Sequence, residues 1–389
     1  MAEERRVKAG VVGCGDISLH GYFPYVSKVF DLVATCDLIE DRAKEMARIW
    51  GAKEVYTDYD EMLDKADIEA VFVLTPMATH AKLTLKAAQA GKHFLVQKPF
   101  CTKFDEGMAV VDAARKAGVK VVVEPNYWMD PIYMKAKQII EEGHLGTVHY
   151  ILGRTERDFI PLWGGDTYYG AEGGGMLFDM GVYLISALAY LMGPAKKVTG
   201  AATLSIPERP DRWADGVFTD FLKTYNPGDS PFAYRQETER MVPTRNMAYD
   251  NVFTIIEWPH ECLGCVVSNA TSLVMPPQGP RIFMCGDKGT LAFGIPGSGS
   301  PLSVGTLIKD SPYHVATPSG RGADWYHFSP DDLPRWRYME GSTQHLHDCI
   351  VKDEQPYPFM DWGMHIAEIM IRTFESAEQG KAINLVTTF

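Results

Sequence analysis

The sequence predicts two domains: an α/β N-terminal domain built on a doubly wound parallel sheet, residues 1–127, and an α+β domain over residues 128–389. Three observations carry that expectation. Apolar runs at 7–12, 32–36, 70–74, 93–96 and 119–123 alternate with helix-like stretches roughly every twenty to thirty residues, the rhythm of a doubly wound parallel sheet. The first run opens into the glycine turn Gly13-Cys14-Gly15. After Asn126 the rhythm gives way to strand-rich sequence with few helices between the strands, and 389 residues are more than one core usually serves.

In the first element, the run 7–12 ends at Gly13-Cys14-Gly15 and residues 17–30 follow with helical periodicity. Gly13 permits the tight turn and Gly15 lets a pyrophosphate approach the backbone, while Asp16 and Ile17 open a helix whose unpaired N–H groups favour an anion. Ser18 stands where the G-x-G-x-x-G pattern has its third glycine. The next strand ends at Asp37, about 22 residues beyond Gly15, the place where a carboxylate meets the adenosine ribose. Asp37 would accept from both ribose hydroxyls and repel a 2'-phosphate, which selects NAD over NADP; the plain alternative is a solvated strand-end charge. Arg42, shortly after, is placed to neutralise such a phosphate.

The run 70–74 is apolar throughout, as in a strand buried on both faces, and leads through Thr75-Pro76 into a helix over 79–90 that Gly91 terminates. The strand 93–96 closes on Gln97-Lys98-Pro99. Pro99 fixes its own φ and biases Lys98 towards an extended backbone, which aims the lysine at something other than bulk water. Lys98 is the candidate reactive centre. Ligands of doubly wound sheets bind outside the carboxyl ends of the strands, and Gly13, Asp37, Thr75 and Lys98 all stand at such ends.

The second domain begins with an aromatic stretch, 125–131, and an amphipathic helix over 131–142. The run Trp163-Gly164-Gly165 to Tyr168-Tyr169 leads to Gly173-Gly174-Gly175, after which the sequence reads as an apolar helix to Met192. Glycines at that density permit close backbone approach, and the helix puts Asp179 and Tyr183 on one face. A carboxylate and a phenol so placed bind a polyol and pass a proton, although a core tyrosine beside a helix-start charge has the same spacing. Trp163, Tyr168 and Tyr169 are candidate substrate-binding residues. Residues 205–249 and 296–337 are longer and more irregular than sheet connections need, and pocket wall, oligomer arm and peripheral loop all fit them.

Composition narrows the partners. A net charge of −12 repels nucleic acid and anionic membranes, and no dense Lys/Arg run overrides it. No apolar stretch is long enough to span a bilayer and the first residues lack a signal-peptide core, so a cytoplasmic protein is expected. Seven scattered cysteines fit reduced thiols, and Cys262-Leu263-Gly264-Cys265 has no second pair or histidines nearby to complete a zinc site. No metal is expected. Arg154, Arg157 and Arg212 are the guanidiniums an acidic substrate would use.

Together, Gly13-Cys14-Gly15 with His20, the stretch from Thr75-Pro76 to His80, the segment from Gly91 to Lys98-Pro99, the triple glycine through Tyr183, Gly286-Asp287-Lys288-Gly289 and the closing Glu378-Gln379-Gly380 resemble one family. It is the Gfo/Idh/MocA family of oxidoreductases (glucose-fructose oxidoreductase, inositol dehydrogenase, rhizopine catabolism), and the resemblance covers nearly the whole chain. The resemblance implies a Rossmann domain followed by a large open-faced mixed, mostly antiparallel sheet, whose exposed face pairs subunits into a homodimer or homotetramer. It implies hydride transfer between NAD and a hydroxyl carbon of a sugar, glycoside or cyclitol. Lys98, Asp179 and Tyr183 then contact substrate and carry the chemistry, and Arg42, Thr75, Pro76, His80, Gln97, Lys98 and Asn126 join the glycine turn around the cofactor.

Two positions depart from the commonest pattern of that family. Gln97 replaces a glutamate, which removes a negative charge beside Lys98 and lowers the lysine pKa relative to relatives that keep it. Tyr183 replaces a histidine. In the mechanism this implies, Tyr183 removes the hydroxyl proton as general base while Lys98 holds the same oxygen; if Tyr183 lies out of reach, Lys98 takes its place. Two other classes use the same residues: a redox-neutral NAD-dependent glycosidase, with Tyr168, Tyr169 or His327 as added acid/base, and a non-catalytic NAD/sugar-sensing protein.

Overall fold

The computed structural model describes residues 5–158, 174–213, 216–236, 241–245, 247–272, 281–294, 302–319, 322–329, 331–333 and 337–389. Six short strands form the first sheet: β1 (Lys8–Val12), β2 (Asp31–Cys36), β3 (Glu54–Tyr56), β4 (Ala70–Val73), β5 (His93–Val96) and β6 (Val121–Val123). All neighbours are parallel and the order is β3-β2-β1-β4-β5-β6. The residues of β4 and β6 are buried throughout, because helices cover both faces of the sheet. The chain leaves β1 towards one edge and returns through β4 towards the other, which opens a crevice between their carboxyl ends.

The helix expected over 17–30 is broken in two. A wide π turn, Ser18–Tyr22, precedes an α-helix over Phe23–Val29. Pro24, in the first turn of that helix, has no N–H to donate back, so a regular α-helix cannot run through the junction. The helix over Pro131–Glu141 starts as its sequence dictates, with Pro131 in its first turn and the Asp130 carboxylate accepting from the Ile132 N–H at 2.8 Å.

The second sheet has nine strands in the order Tyr326–His327, Ser303–Thr306, Gly289–Phe293, Ile282–Gly286, Val148–Asp158, Leu263–Ser272, Asn251–Glu257, Lys197–Thr203 and Ile383–Asn384. Val148–Asp158 and Leu263–Ser272 run parallel and the other pairs antiparallel. Alternate residues divide the sheet into two faces. Ile151, Val198, Val252, Ile256, Val266 and Met284 are fully buried beneath the helices Val182–Met192 and Met360–Gln379. Tyr150, Phe253, Ile255 and Leu263 lie on the other face and are exposed. Among the described residues no helix is long and apolar enough to cross a membrane, and all seven cysteines are free thiols.

The stretch 205–249 is not an irregular loop. Glu208–Trp213 and Met241–Arg245 pair as a two-stranded antiparallel ribbon. Between them, the helix Val217–Thr224 and a turn at Ala233–Gln236 lie against the first domain, where Leu222 and Tyr225 share a core cluster with Phe23, Leu32 and Met46. This stretch, for which the sequence leaves pocket wall, oligomer arm and peripheral loop open, is in its described part a strap packed on the first domain.

Candidate active site

The glycine turn follows β1 and packs against the end of β4. Gly13 has φ +92°, and a Cβ there would stand 2.7 Å from the Leu74 carbonyl carbon and 2.8 Å from the Thr75 nitrogen. Only glycine fits. A Cβ on Gly15 would meet nothing within 4 Å, so a ligand is free to approach the backbone at that point. Ser18, in the third glycine position, is buried and its hydroxyl donates to the Gly13 carbonyl, closing the turn from within. Asp37 accepts from the Cys14 N–H at 2.7 Å and the Ile39 N–H at 2.8 Å, which seats its carboxylate beside the turn with lone pairs left for ribose hydroxyls. Open backbone at Gly15 and a carboxylate held at Asp37 fit a dinucleotide without a 2'-phosphate. Arg42 faces elsewhere, donating to the Thr219 hydroxyl at 3.2 Å with its guanidinium over the Phe218 ring.

Thr75 and Pro76 follow β4, and His80 pins them. Its buried ring lies 2.8 Å from the Thr75 carbonyl through Nε2 and 2.7 Å from the Pro99 carbonyl through Nδ1. Burial lowers its pKa against the pull of these carbonyls, so the neutral ring donates to one of them. His80 is therefore a clamp between the ends of β4 and β5. The Asn126 side chain is likewise committed, to Ser342 at 3.0 Å and to the Trp128 indole N–H at 3.3 Å.

Lys98 follows β5 and is only 8% exposed. Its Nζ donates to Asp179 twice, to Oδ1 at 2.6 Å and to the backbone carbonyl at 2.8 Å. Both oxygens face it because Asp179 lies in a π turn, Leu177–Gly181, that widens the start of the helix Val182–Met192. Gly175 brings the chain into this turn at φ +94°, where a Cβ would be 2.8 Å from the Tyr249 carbonyl. Tyr183 is on the same side, with Nζ of Lys98 5.1 Å from its ring centroid. The ammonium thus lies over the ring, whose phenol oxygen stands 3.4 Å from the Tyr338 hydroxyl. Tyr127 stacks on Tyr183, and Tyr338 meets both rings edge-on.

Gln97 does more than remove a charge. Its carbonyl oxygen accepts from the Lys98 N–H at 2.8 Å and its amide donates to the Tyr22 hydroxyl at 2.8 Å. Tyr22 donates in turn to Glu124 at 2.9 Å. A buried carboxyl therefore sits one strand over, at the end of β6, two hydrogen bonds from Gln97. Burial pushes its pKa up to about 7, against hydrogen bonds from Ser342, the Asn126 N–H and Tyr22.

Sequence reasoning missed Glu124, Tyr22, Tyr127 and Tyr338. The strand-end rule that found Lys98 applies equally to Glu124; Tyr338, more than 150 residues from Tyr183, gives no local signal. Trp163, Tyr168 and Tyr169 lie outside the described residues. His327 is exposed on an edge strand with Nδ1 2.7 Å from the Ser303 hydroxyl, and Arg154 donates to Glu156 at 3.0 Å.

Strand order, glycine turn and the carboxylate after β2 define a nicotinamide-dinucleotide-binding Rossmann protein with an appended open sheet. The chain belongs to the Gfo/Idh/MocA oxidoreductase family: the model for the oxidoreductase family's NAD-binding Rossmann fold matches residues 7–125, and that for the GFO/IDH/MocA C-terminal domain residues 133–292. D-glucoside 3-dehydrogenase of Escherichia coli is 27% identical over 386 residues, 97% of each chain. Levoglucosan dehydrogenase of Pseudarthrobacter phenanthrenivorans is 30% identical over 197 residues, 49% of each; as there, the chain spans about half the length of the first curated relatives it matches. A solved levoglucosan dehydrogenase in complex with NADH shares the fold at a TM-score of 0.76, with 21% identity over 98% of this chain and 99% of that one.

Proposed function

We propose that the chain is an NAD-dependent oxidoreductase that removes hydride from a hydroxyl-bearing carbon of a sugar, glycoside or cyclitol. The observation that carries this reading is the buried Lys98–Asp179 pair at the end of β5, beside Tyr183 and on the same sheet edge as Gly13 and Asp37. Relatives named as levoglucosan, scyllo-inositol and D-glucoside dehydrogenases support the substrate class. The backbone of Gly13, Gly15, Asp16 and Ile17 would hold the pyrophosphate and the Asp37 carboxylate the adenosine ribose. Bound NAD supplies the hydride acceptor.

The chain's own residues do the rest. Lys98 holds the substrate oxygen and its charge favours the alkoxide-like form as the proton leaves. Asp179 fixes Lys98 and accepts from a neighbouring hydroxyl. Tyr183 is the general base, with Tyr338 next along the proton's path. His80 and Gln97 set the two strand ends. We place the protein in the cytoplasm, as a homodimer or homotetramer joined through the open sheet face.

The test is absorbance of NADH with purified protein, NAD and a panel of sugars, cyclitols and aryl glycosides. NADH rising with one class supports the proposal. Aglycone release without NADH would overturn it in favour of redox-neutral glycoside cleavage. Lys98→Met is expected to abolish turnover while leaving NADH affinity within about threefold; normal turnover in that variant would sink the mechanism.

A further inference from the structure

The strap between the ribbon strands is anchored on both sides of the dinucleotide turn. On one side Tyr234, 5% exposed, donates to Oδ1 of Asp16 at 2.6 Å, and Arg235 forms an ion pair with the other Asp16 oxygen. The Arg235 guanidinium lies 4.4 Å from the Phe232 ring centroid, and that ring meets His20 of the turn at 4.8 Å. On the other side Arg42 donates to Thr219, and Arg48 donates to the Leu222 carbonyl at 3.2 Å. Phe218 and Phe221 both contact the Tyr234 ring, so the helix and the Ala233–Gln236 turn form one packed unit. Asp16 directly follows Gly15, and Arg42 lies on the helix that follows Asp37.

Asp16 presents a problem that this strap solves. A carboxylate next to a turn that receives pyrophosphate repels it, and burial strengthens the repulsion. A guanidinium on the same carboxylate cancels that charge. The strap also ties the second domain to both walls of the adenosine half of the crevice, so the cofactor leaves only when these contacts break.

We propose that Tyr234 and Arg235 of the second domain are positioning residues of the dinucleotide site, which neutralise Asp16 and latch the strap across NAD, making it a resident cofactor that dissociates slowly. This rests on the NAD reading given above. The slow step is release, so it is read without any substrate.

The test loads the full chain with NADH, chases with excess NAD and follows NADH fluorescence. Arg235→Ala is expected to speed release at least about tenfold relative to the natural chain, and Arg235→Lys, which keeps the cation on Asp16, to restore most of the delay. Tyr234→Phe removes one hydrogen bond but keeps the ring in its cluster, and should accelerate release by a smaller factor; it decides the matter if Arg235→Ala fails to fold. Equal release rates in the natural chain and in folded Arg235→Ala or Tyr234→Phe would overturn the proposal and leave the NAD reading standing. Failure of the natural chain to bind NADH would overturn both.

Discussion

Lys98 and Asp179 illustrate how a buried pair behaves when one member is lost. With side-chain exposures of 9% and 16%, neither charge is well solvated alone. Removing either partner leaves the other stranded, a cost of roughly 3 kcal/mol, whereas removing both relieves it. Chemical denaturation should therefore find Lys98→Met with Asp179→Leu more stable than the less stable of the two single variants. Strict additivity of the two losses would contradict a coupled pair.

Glu124 makes a prediction about pH at the same scale. Its folded pKa of about 7 lies above the ordinary 4.5, so the fold favours the protonated form. The associated stability is present in full below pH 4.5 and is lost as pH rises through 7, in all about 3 kcal/mol. Urea midpoints measured between pH 4.5 and 8 should fall less steeply in Glu124→Gln than in the natural chain. Parallel pH profiles would mean that the carboxyl does not titrate in this window.

At the scale of the element, the glycine turn separates folding from binding. A methyl on Gly13 is driven into the Leu74 carbonyl group and the Thr75 nitrogen, backbone atoms that cannot step aside, at a strained φ of +92°. Gly13→Ala is expected to lose about 1–3 kcal/mol of stability and its NADH binding together. Gly15→Ala meets only open space in the protein, so it should melt within about 1 kcal/mol of the natural chain yet bind NADH at least about tenfold more weakly, because the methyl takes the ligand's place. Melting curves and fluorescence titrations of the two variants check this; tight NADH binding by Gly15→Ala would mean that the dinucleotide lies elsewhere. The two π turns belong here as well. One lets the chain pass Pro24, and the other aims both the carboxylate and the carbonyl of Asp179 at Lys98.

At the scale of the whole molecule, the second sheet presents Tyr150, Phe253, Ile255 and Leu263 on its uncovered face. Exposed apolar surface on a sheet of nine strands is costly in water, and pairing with a second copy, as proposed above, would bury it. Light scattering after size exclusion should show Phe253→Glu with Leu263→Arg as a smaller species than the natural chain, with melting still cooperative. An unchanged mass would mean that this face does not join copies of the chain.

The parallel sheet, the glycine turn, Asp37 and Lys98 were legible because each depends on local pattern: an apolar run, a glycine at a strand end, a proline after a lysine. The same rule, applied once more, reaches Glu124 after β6. What was not legible depends on chain folding back over long separations. Tyr183 and Asp179 are local to one helix, but the partner of the first is Tyr338 and of the second Lys98, and no periodicity announces either pair. The strap reads as loop in the sequence because Pro207 and Pro210 interrupt it and its apolar residues lack a period of their own; they pack on another domain.

By itself, then, the sequence determined the parallel sheet, the glycine turn after its first strand and a lysine at the end of its fifth, since short-range sterics and hydrophobic periodicity are properties of neighbouring residues. Only the tertiary structure decided that Lys98 is held by two oxygens of Asp179, that Gln97 is joined through Tyr22 to the buried carboxyl of Glu124, and that the second domain grips Asp16 through Tyr234 and Arg235. Those are choices among buried partners, and burial is a property of the whole fold, where an unpaired charge or donor costs more than any local preference supplies.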